Sequence, residues 1–430
     1  MLKTLNVARI KINNLNELAQ INPKRLGAFE IIEAGLNAID TQKVVESLLS
    51  VKDGVLEIKD HRFDLHDFKR IRVIGFGKSS CAAAVSLEKI LGEKINDGIV
   101  IDIRKAGCNN IIGLVGTHPR PSSQNVEATG QLVEMAKDTN QNDLVLVIVS
   151  GGGSALLCWP KEECDQGERL YSEFIKTGGT VEELNVVRKH MSSLKGGGLA
   201  KLLFPATVVG LVFCDVQENC FENVASGPTY RDETTVQDAQ TVLDKYGLAG
   251  FKLNETPKEK EYFEKVHNIA LVSNMDALIA MADKAQELGF KPEIFSARIS
   301  ESATDVISRF KNLRDHKTAI LGGGEITLTV KNGGGSGGRN SYLALCSLLA
   351  MKKGDIFISI ASDGLDNSDS AGAVADAYTI SKANELGLDI NDHIARYDSY
   401  NFFKKTGDLV FTGPTGANVS DLMILLNKNE

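Results

Sequence analysis

Short aliphatic runs recur along the chain and alternate with amphipathic stretches. IRVIGFG (71–77), GIVIDI (98–103), LVLVIVS (144–150), TVVGLVF (207–213), IALVS (269–273), TAILGGG (318–324) and IFISIAS (356–362) are continuous and rich in Val and Ile. Runs of this kind fit strands buried on both faces of a parallel sheet. Between them the apolar positions take helical spacing over 79–91, 126–137, 236–246, 276–288, 302–313 and 341–350. Such alternation predicts an α/β protein. The polar, charged stretch GLAGFKLNETPKEKEYFEKV (247–266) breaks the rhythm, and we place there the boundary between two α/β domains, 1–246 and 247–430. A length of 430 residues accommodates domains of that size.

The punctuation of the pattern carries the first chemical signal. Glycine-rich turns follow three of the runs: GFGKS (75–79), SGGGS (150–154) and GGGE (322–325), while the run at 356–361 ends in SDG. Ligands of open α/β sheets bind at the carboxyl ends of strands. Glycine there lets backbone N–H groups approach a ligand, and a following helix adds its positive end, a combination suited to phosphate or carboxylate. An anionic small molecule is therefore the expected ligand, with Ser150, Gly151, Gly152, Gly153 and Ser154 as its cradle. GFGKSS is neither of the two familiar phosphate loops. A Walker A loop would need glycine where Arg72 stands, and a dinucleotide fingerprint would need it at Ser80, although Asp102 falls where a ribose-binding acid belongs. Lys78 is then a cation presented at a strand end.

Other charged residues gather at similar turns. LNVVRKHMSSLKGGGLA (184–200) sets Arg188, His190 and Lys195 around a triple glycine. Asp215 follows the run 207–213, and SGPT (226–229) is a turn. GGRN places Arg339 and Asn340 at a helix start, where an Arg opposes the helix dipole and so is not there for stability. SDGLDNSDSAGAVAD (362–376) supplies Asp363, Asp366, Asp369 and Asp376, and TGPTGANVSDL (412–422) reads as a Gly/Thr-rich turn followed by a helix cap. The run NGGGSGG (332–338) reads either as a flexible linker or as part of the site. Cations, carboxylates and anion-binding turns together are the parts of a phosphoryl-transfer site: Lys and Arg neutralise the moving phosphate, one carboxylate holds a divalent cation and another orients the attacking hydroxyl. A nucleophile elbow matches only at Ser336, inside the glycine run, and no H-E-x-x-H motif is present. His61 and His66 read as surface residues.

Composition narrows the class without changing it. Hydrophobic residues make up 43% and charged residues 24% of the chain, and the net charge of −8 comes with no basic tail, so nucleic acid is not an expected partner. Seven cysteines without a CxxC pair argue against a disulfide framework or a structural zinc site, and Cys81, Cys214 and Cys346 read as buried thiols. No stretch has the length and apolarity of a membrane span, and the N-terminus lacks a signal-peptide core, so a soluble, cytoplasmic protein is expected.

Taken together, SGGGSALL, NVVRKHMSSLKGGGLA, SGPT, GGGEITLTV with GGRN, SDG with AGA, and TGPTGANVSDL resemble the class II glycerate 2-kinases, two-domain proteins with a C-terminal MOFRL domain that are often labelled hydroxypyruvate reductases. The motifs run in family order from about residue 70 to 425. The resemblance implies a Rossmann-like N-terminal domain with a parallel sheet, a distinct α/β C-terminal domain and an active-site cleft between them. It implies phosphorylation of D-glycerate to 2-phosphoglycerate by ATP with Mg²⁺ or another divalent cation, and it allows for a homodimer. It carries catalytic roles to Lys78, Arg339 and Asp363. Arg188, Lys195 and Asn340 are expected to join the SGGGS turn in binding substrate or phosphate, and Asp215 and Glu325 to contact the metal. The chain departs from the family in QENCFEN (217–223), at Asp366-Asn367 and at Ser341-Tyr342. Two other readings remain: an NAD(P)-dependent hydroxypyruvate reductase, suggested by the partial fingerprint and Asp102, and a non-catalytic sensor of a phosphorylated sugar acid.

Overall fold

The computed structural model describes residues 11–105, 107–214, 221–328, 330 and 334–427. They form two compact units, Thr41–Val272 and Met1–Asp40 with Ser273–Glu430.

The Thr41–Val272 unit is built on six parallel strands: β1 (Arg70–Phe76), β2 (Ile95–Asp102), β3 (Ile112–Val115), β4 (Asp143–Val149), β5 (Thr207–Phe213) and β6 (Val266–Val272). Their spatial order is β3-β2-β1-β4-β5-β6. This is the doubly wound order of a Rossmann-type sheet, and the strand order reverses between β1 and β4. Strand β4, DLVLVIV, is buried throughout, as expected of a central strand covered on both faces. Phe76, Val147, Val149, Leu156, Leu199 and Val212 anchor the core beneath the strand ends. A three-stranded antiparallel sheet (Leu49–Lys52, Val55–Ile58, His61–Asp64) precedes β1, and His61 and His66 are exposed as expected.

The second unit holds β7 (Lys291–Ile299), β8 (Thr318–Gly324), β9 (Asp355–Ala361), β10 (Gly372–Asp376), β11 (Leu409–Val410) and β12 (Asp421–Asn427) in the order β7-β8-β12-β9-β10-β11. Only β7 and β8 run parallel; the other pairs are antiparallel. The expectation of parallel strands therefore holds in the first sheet and fails in the second. TGPTGANVSDL leads into a strand and not a helix, because DLMILLN is buried on both faces between β8 and β9. Phe310, Leu343, Phe357, Phe402 and Leu425 centre this core.

The chain divides elsewhere than at 246/247. Strand β6 pairs with β5 and so extends the first unit to Val272. Residues 11–40 belong with the second unit: helix Arg25–Ala38 packs on helix Asn274–Glu287, and the fully buried Arg25 pairs with Asp376 at 2.7 Å and Asp408 at 2.8 Å. Among the described residues no helix is long and apolar enough to cross a membrane.

Candidate active site

In the parallel-sheet unit the two glycine turns leave β1 and β4, the strands that flank the switch point, and they are tied together. The Lys78 N–H donates to Gly151 O at 2.9 Å, Ser150 N–H to Phe76 O at 3.2 Å, and Ser79 N–H to Ser150 Oγ at 3.2 Å. Gly77 makes this approach possible: its φ is +119°, and a Cβ there would lie 2.2 Å from Ser150 Oγ. Ser150 is fully buried, so its hydroxyl holds the turns together and is not offered to a ligand. Gly152, with φ +81°, rests against two ligand-capable side chains; a Cβ on it would stand 3.0 Å from His118 Cδ2 and 3.2 Å from Lys78 Cγ. The N–H groups of Gly151 and Gly152 have no acceptor among the described residues, which leaves them open to an anion.

The remaining motifs of this unit form the scaffold around the turn. Ser154 Oγ lies 2.9 Å from Ser226 Oγ, which donates to Asn185 Oδ1 at 2.9 Å. Gly196 and Gly197 donate to the carbonyls of Ser226 and Gly227, both at 2.9 Å. Thus the triple-glycine and SGPT segments interlock and hold helix Val181–Met191 beside the SGGGS turn. Ala225 and Ser226 both take positive φ, +52° and +61°, a costly arrangement for two non-glycine residues that the surrounding bonds enforce.

The cations of 184–200 prove to have different fates. Lys195 is buried, pairs with Glu163 at 2.5 Å and donates to Leu157 O at 2.7 Å, so its charge is already spent and the expected phosphate role does not fit it. His190 is buried between Asn254 O (3.0 Å) and Thr234 Oγ1 (3.2 Å), and Lys189 pairs with Asp232 at 3.2 Å. Arg188 is half-buried on the wall of a cavity it shares with Ser154 and Tyr171, and no carboxylate pairs with it among the described residues. Burial pushes its pKa down to about 10, only slightly offset by Tyr171. Asp102, the residue that suited a ribose, is 3% exposed and accepts the N–H groups of Cys81 (3.0 Å) and Ile103 (2.6 Å). It caps helix Ser80–Leu91 and is not turned to a ligand.

In the mixed-sheet unit the residues meet at one end of the sheet. Arg339, the first residue of helix Arg339–Ser347, reaches Glu325 Oε2 at 2.9 Å and Asp421 Oδ2 at 3.4 Å. Glu325 follows β8, Asp363 follows β9, and Asp421 opens β12, which runs between them in the opposite direction. Register fixes this: Gly323 faces Leu422 and Ala361 faces Asp421. The Arg339 side chain is 41% exposed and Glu325 50%, so a ligand can reach both. Burial works against the Arg339 charge, yet Asp421, Glu325 and Asp366 hold its pKa above the ordinary value. Asp421 was not singled out in the sequence. Burial, with Glu325 and Asp366 adding to it, pushes its carboxyl up to about 8 against the pull of Arg339.

Two of the expected residues here turn out to be supports. Asp366 accepts the N–H groups of Asn340 (2.9 Å) and Ser341 (2.8 Å) and so offsets the cation at the helix start. Asn340 is 2% exposed and accepts from Ser359 Oγ at 2.6 Å, which commits it to the framework and away from the expected substrate contact. Asp363 is half-buried; its Oδ1 accepts from Leu365 N–H at 3.0 Å and its carbonyl from Thr415 N–H at 3.1 Å, which joins SDG to TGPTG. Among the described residues no three His, Cys, Asp or Glu side chains form a metal cage, and Asp215 lies outside those residues. Glu325 and Asp363 are nevertheless accessible oxygen donors beyond the two strands that flank β12, and one or two carboxylates are what a Mg²⁺ bound chiefly through substrate phosphates requires.

Comparison with known proteins accounts for both units. Residues 27–256 match the family described as "Domain of unknown function (DUF4147)", and residues 318–421 match the MOFRL family. The chain is 33% identical to the D-glycerate 2-kinase of Thermotoga maritima, over 92% of this chain and 97% of that protein. It is 30% identical to the glycerate 2-kinase of Pyrococcus horikoshii, over 92% of this chain and 96% of that protein. A crystal structure of glycerate kinase from Thermotoga maritima superposes with a TM-score of 0.79 at 30% identity, covering 94% of this chain and 99% of that one. With both domains matched in order and curated relatives aligned almost end to end, this chain belongs to the glycerate kinase family composed of a DUF4147 domain and a MOFRL domain.

Proposed function

We propose that the protein transfers the γ-phosphoryl group of ATP to the C2 hydroxyl of D-glycerate, giving 2-phosphoglycerate and ADP. The hydroxyl oxygen forms the new bond to phosphorus, the bond from phosphorus to the β–γ bridging oxygen breaks, and the hydroxyl proton passes to a carboxylate. The observation that carries this reading is Lys78 at the switch point of the parallel sheet, its stem against Gly152 and beside the open N–H groups of Gly151 and Gly152. Those groups receive an anionic oxygen, and the Lys78 ammonium stabilises charge that grows in the transition state. Arg339 does the same from its own unit, exchanging Glu325 for a phosphoryl oxygen while Asp421 keeps the guanidinium in place. Asp363 is the residue assigned to orient or deprotonate the attacking hydroxyl. A bound Mg²⁺ would screen the nucleotide's phosphates, with Glu325 as a protein oxygen for it. The six described cysteines are thiols outside any disulfide, which suits a reducing, cytoplasmic setting.

The alternative of a nicotinamide-dependent reductase loses its main support, because Asp102 is used up in capping a helix. The discriminating experiment runs both chemistries on one preparation. ADP release that requires D-glycerate, with NADH absorbance unchanged on adding hydroxypyruvate, is the expected pattern. NADH oxidation without ADP release would reverse the assignment.

A further inference from the structure

Arg188 is the anomaly of the parallel-sheet unit. Its neighbours in sequence and in the cavity have partners: Lys189 has Asp232, and Lys195 has Glu163. Arg188 has neither a carboxylate nor a hydrogen-bond acceptor among the described residues, although it is half-buried. Partial withdrawal of a charge from water is unfavourable when no partner replaces the lost solvation, and the cavity in front of Arg188 leaves room for a partner from outside the chain. A second polar group stands on the same wall: Tyr171 is half-buried, and its hydroxyl has no hydrogen-bond partner among the described residues. The cavity adjoins the SGGGS turn through Ser154 and Ala155, and Pro119, Pro121 and Met191 give it apolar walls.

The geometry points to this cavity as the receptor for the carboxylate of the phosphoryl acceptor, with Arg188 as a bidentate donor and Tyr171 as a second one. This rests on the kinase reading and adds to it which anion occupies which part of the site. Charge decides between the two anions present. One unpaired guanidinium balances one carboxylate, and its planar fork matches a carboxylate's two oxygens. A nucleotide's polyphosphate would bring several negative charges beside the buried Glu163, whose one cation among the described residues is Lys195. The phosphates are thus left to Lys78 and the glycine turn. The resulting specificity is for a short 2-hydroxy monocarboxylic acid, held by its carboxylate at one end, over the corresponding neutral polyol.

The test compares the full-length wild type with Arg188→Ala, Arg188→Lys and Tyr171→Phe, using initial rates against D-glycerate and against ATP, and D-glycerate or glycerol as the added ligand in thermal unfolding. We expect Arg188→Ala to raise KM for D-glycerate about 30-fold or more, the usual cost of a lost charge-assisted pair, with KM for ATP unchanged within about two-fold. Arg188→Lys and Tyr171→Phe should fall between wild type and Arg188→Ala. D-glycerate, and not glycerol, should raise the unfolding temperature of the wild type, and Arg188→Ala should lose that shift; should the Ala variant not fold, the Lys and Phe variants decide. An active wild type whose Arg188 variants keep the KM for D-glycerate, or lose affinity for ATP instead, would overturn the assignment and leave the kinase reading intact. A wild type that releases no ADP but is stabilised by D-glycerate through Arg188 would overturn the kinase reading and keep the carboxylate site.

Discussion

Replacing Asp421 with Asn should make the stability of the protein less dependent on pH, in a direction that the structure fixes. The carboxyl titrates near its ordinary value of about 3.9 in the unfolded chain and is pushed up to about 8 in the folded one by burial at the start of β12. Below about pH 4 it is neutral in both states, and its favourable contribution to the fold is fully present. As pH rises the unfolded chain gives up the proton first while the folded chain keeps it. Stability therefore falls, by up to ~1.4 kcal/mol per pH unit, until the folded group also ionises. Asn is nearly isosteric and does not titrate. Between pH 5 and pH 8 the wild type should lose roughly 2–4 kcal/mol relative to Asp421→Asn. Urea unfolding of both proteins at several pH values measures this difference. Stability curves of the two proteins that run parallel across that interval would refute the reasoning, since they would mean that Asp421 is ionised throughout alongside Arg339.

Three further outcomes are expected. Lys78→Ala should lower kcat by about 10²–10³ with an unchanged circular dichroism spectrum and unfolding midpoint; near-normal turnover would remove Lys78 from the transition state. Gly77→Ala puts a methyl 2.2 Å from Ser150 Oγ at φ +119° and should cost about 2–4 kcal/mol, read as a lower unfolding temperature. Lys195→Met strands the buried Glu163 and should destabilise the fold by about 3–5 kcal/mol, whereas Lys195→Met combined with Glu163→Leu should recover most of it; equal losses in the single and double variants would show that the pair does not behave as a unit.

Strands β1, β2, β4 and β5 were legible because both of their faces are buried along most of their length, so each carries a run that is mostly apolar. Strand β12 is just as apolar but comes after a glycine-rich turn and opens on Asp421, the local signature of a helix cap; only its antiparallel pairing with β8 and β9 reveals a strand. The half-exposed β7, KPEIFSARI, had no continuous run to read. At the site, Lys78, Arg339 and the SGGGS turn stood out because a cation or a run of glycines at a strand end, or a cation at a helix start, has no structural need there. Which cations are free was not legible. Lys195 is neutralised by Glu163, 32 residues earlier, and Arg188 has no such partner, yet in the sequence the two look alike. His118, a lone residue before a proline, gave no signal, although the fold lays it against Gly152. The place of helix Arg25–Ala38 is tied to Arg25 finding Asp376 and Asp408 more than 350 residues away, which no local pattern encodes.

The central claim is tested most directly by one assay: the protein with ATP, Mg²⁺ and D-glycerate, coupled to enolase, which accepts only the 2-phospho isomer, with ADP followed in parallel. ADP and enolase-competent product appearing together, both falling about 10²–10³-fold in Lys78→Ala, is the predicted result. ADP without enolase-competent product would place the phosphate elsewhere than on C2, and a folded wild type that forms neither would contradict the account.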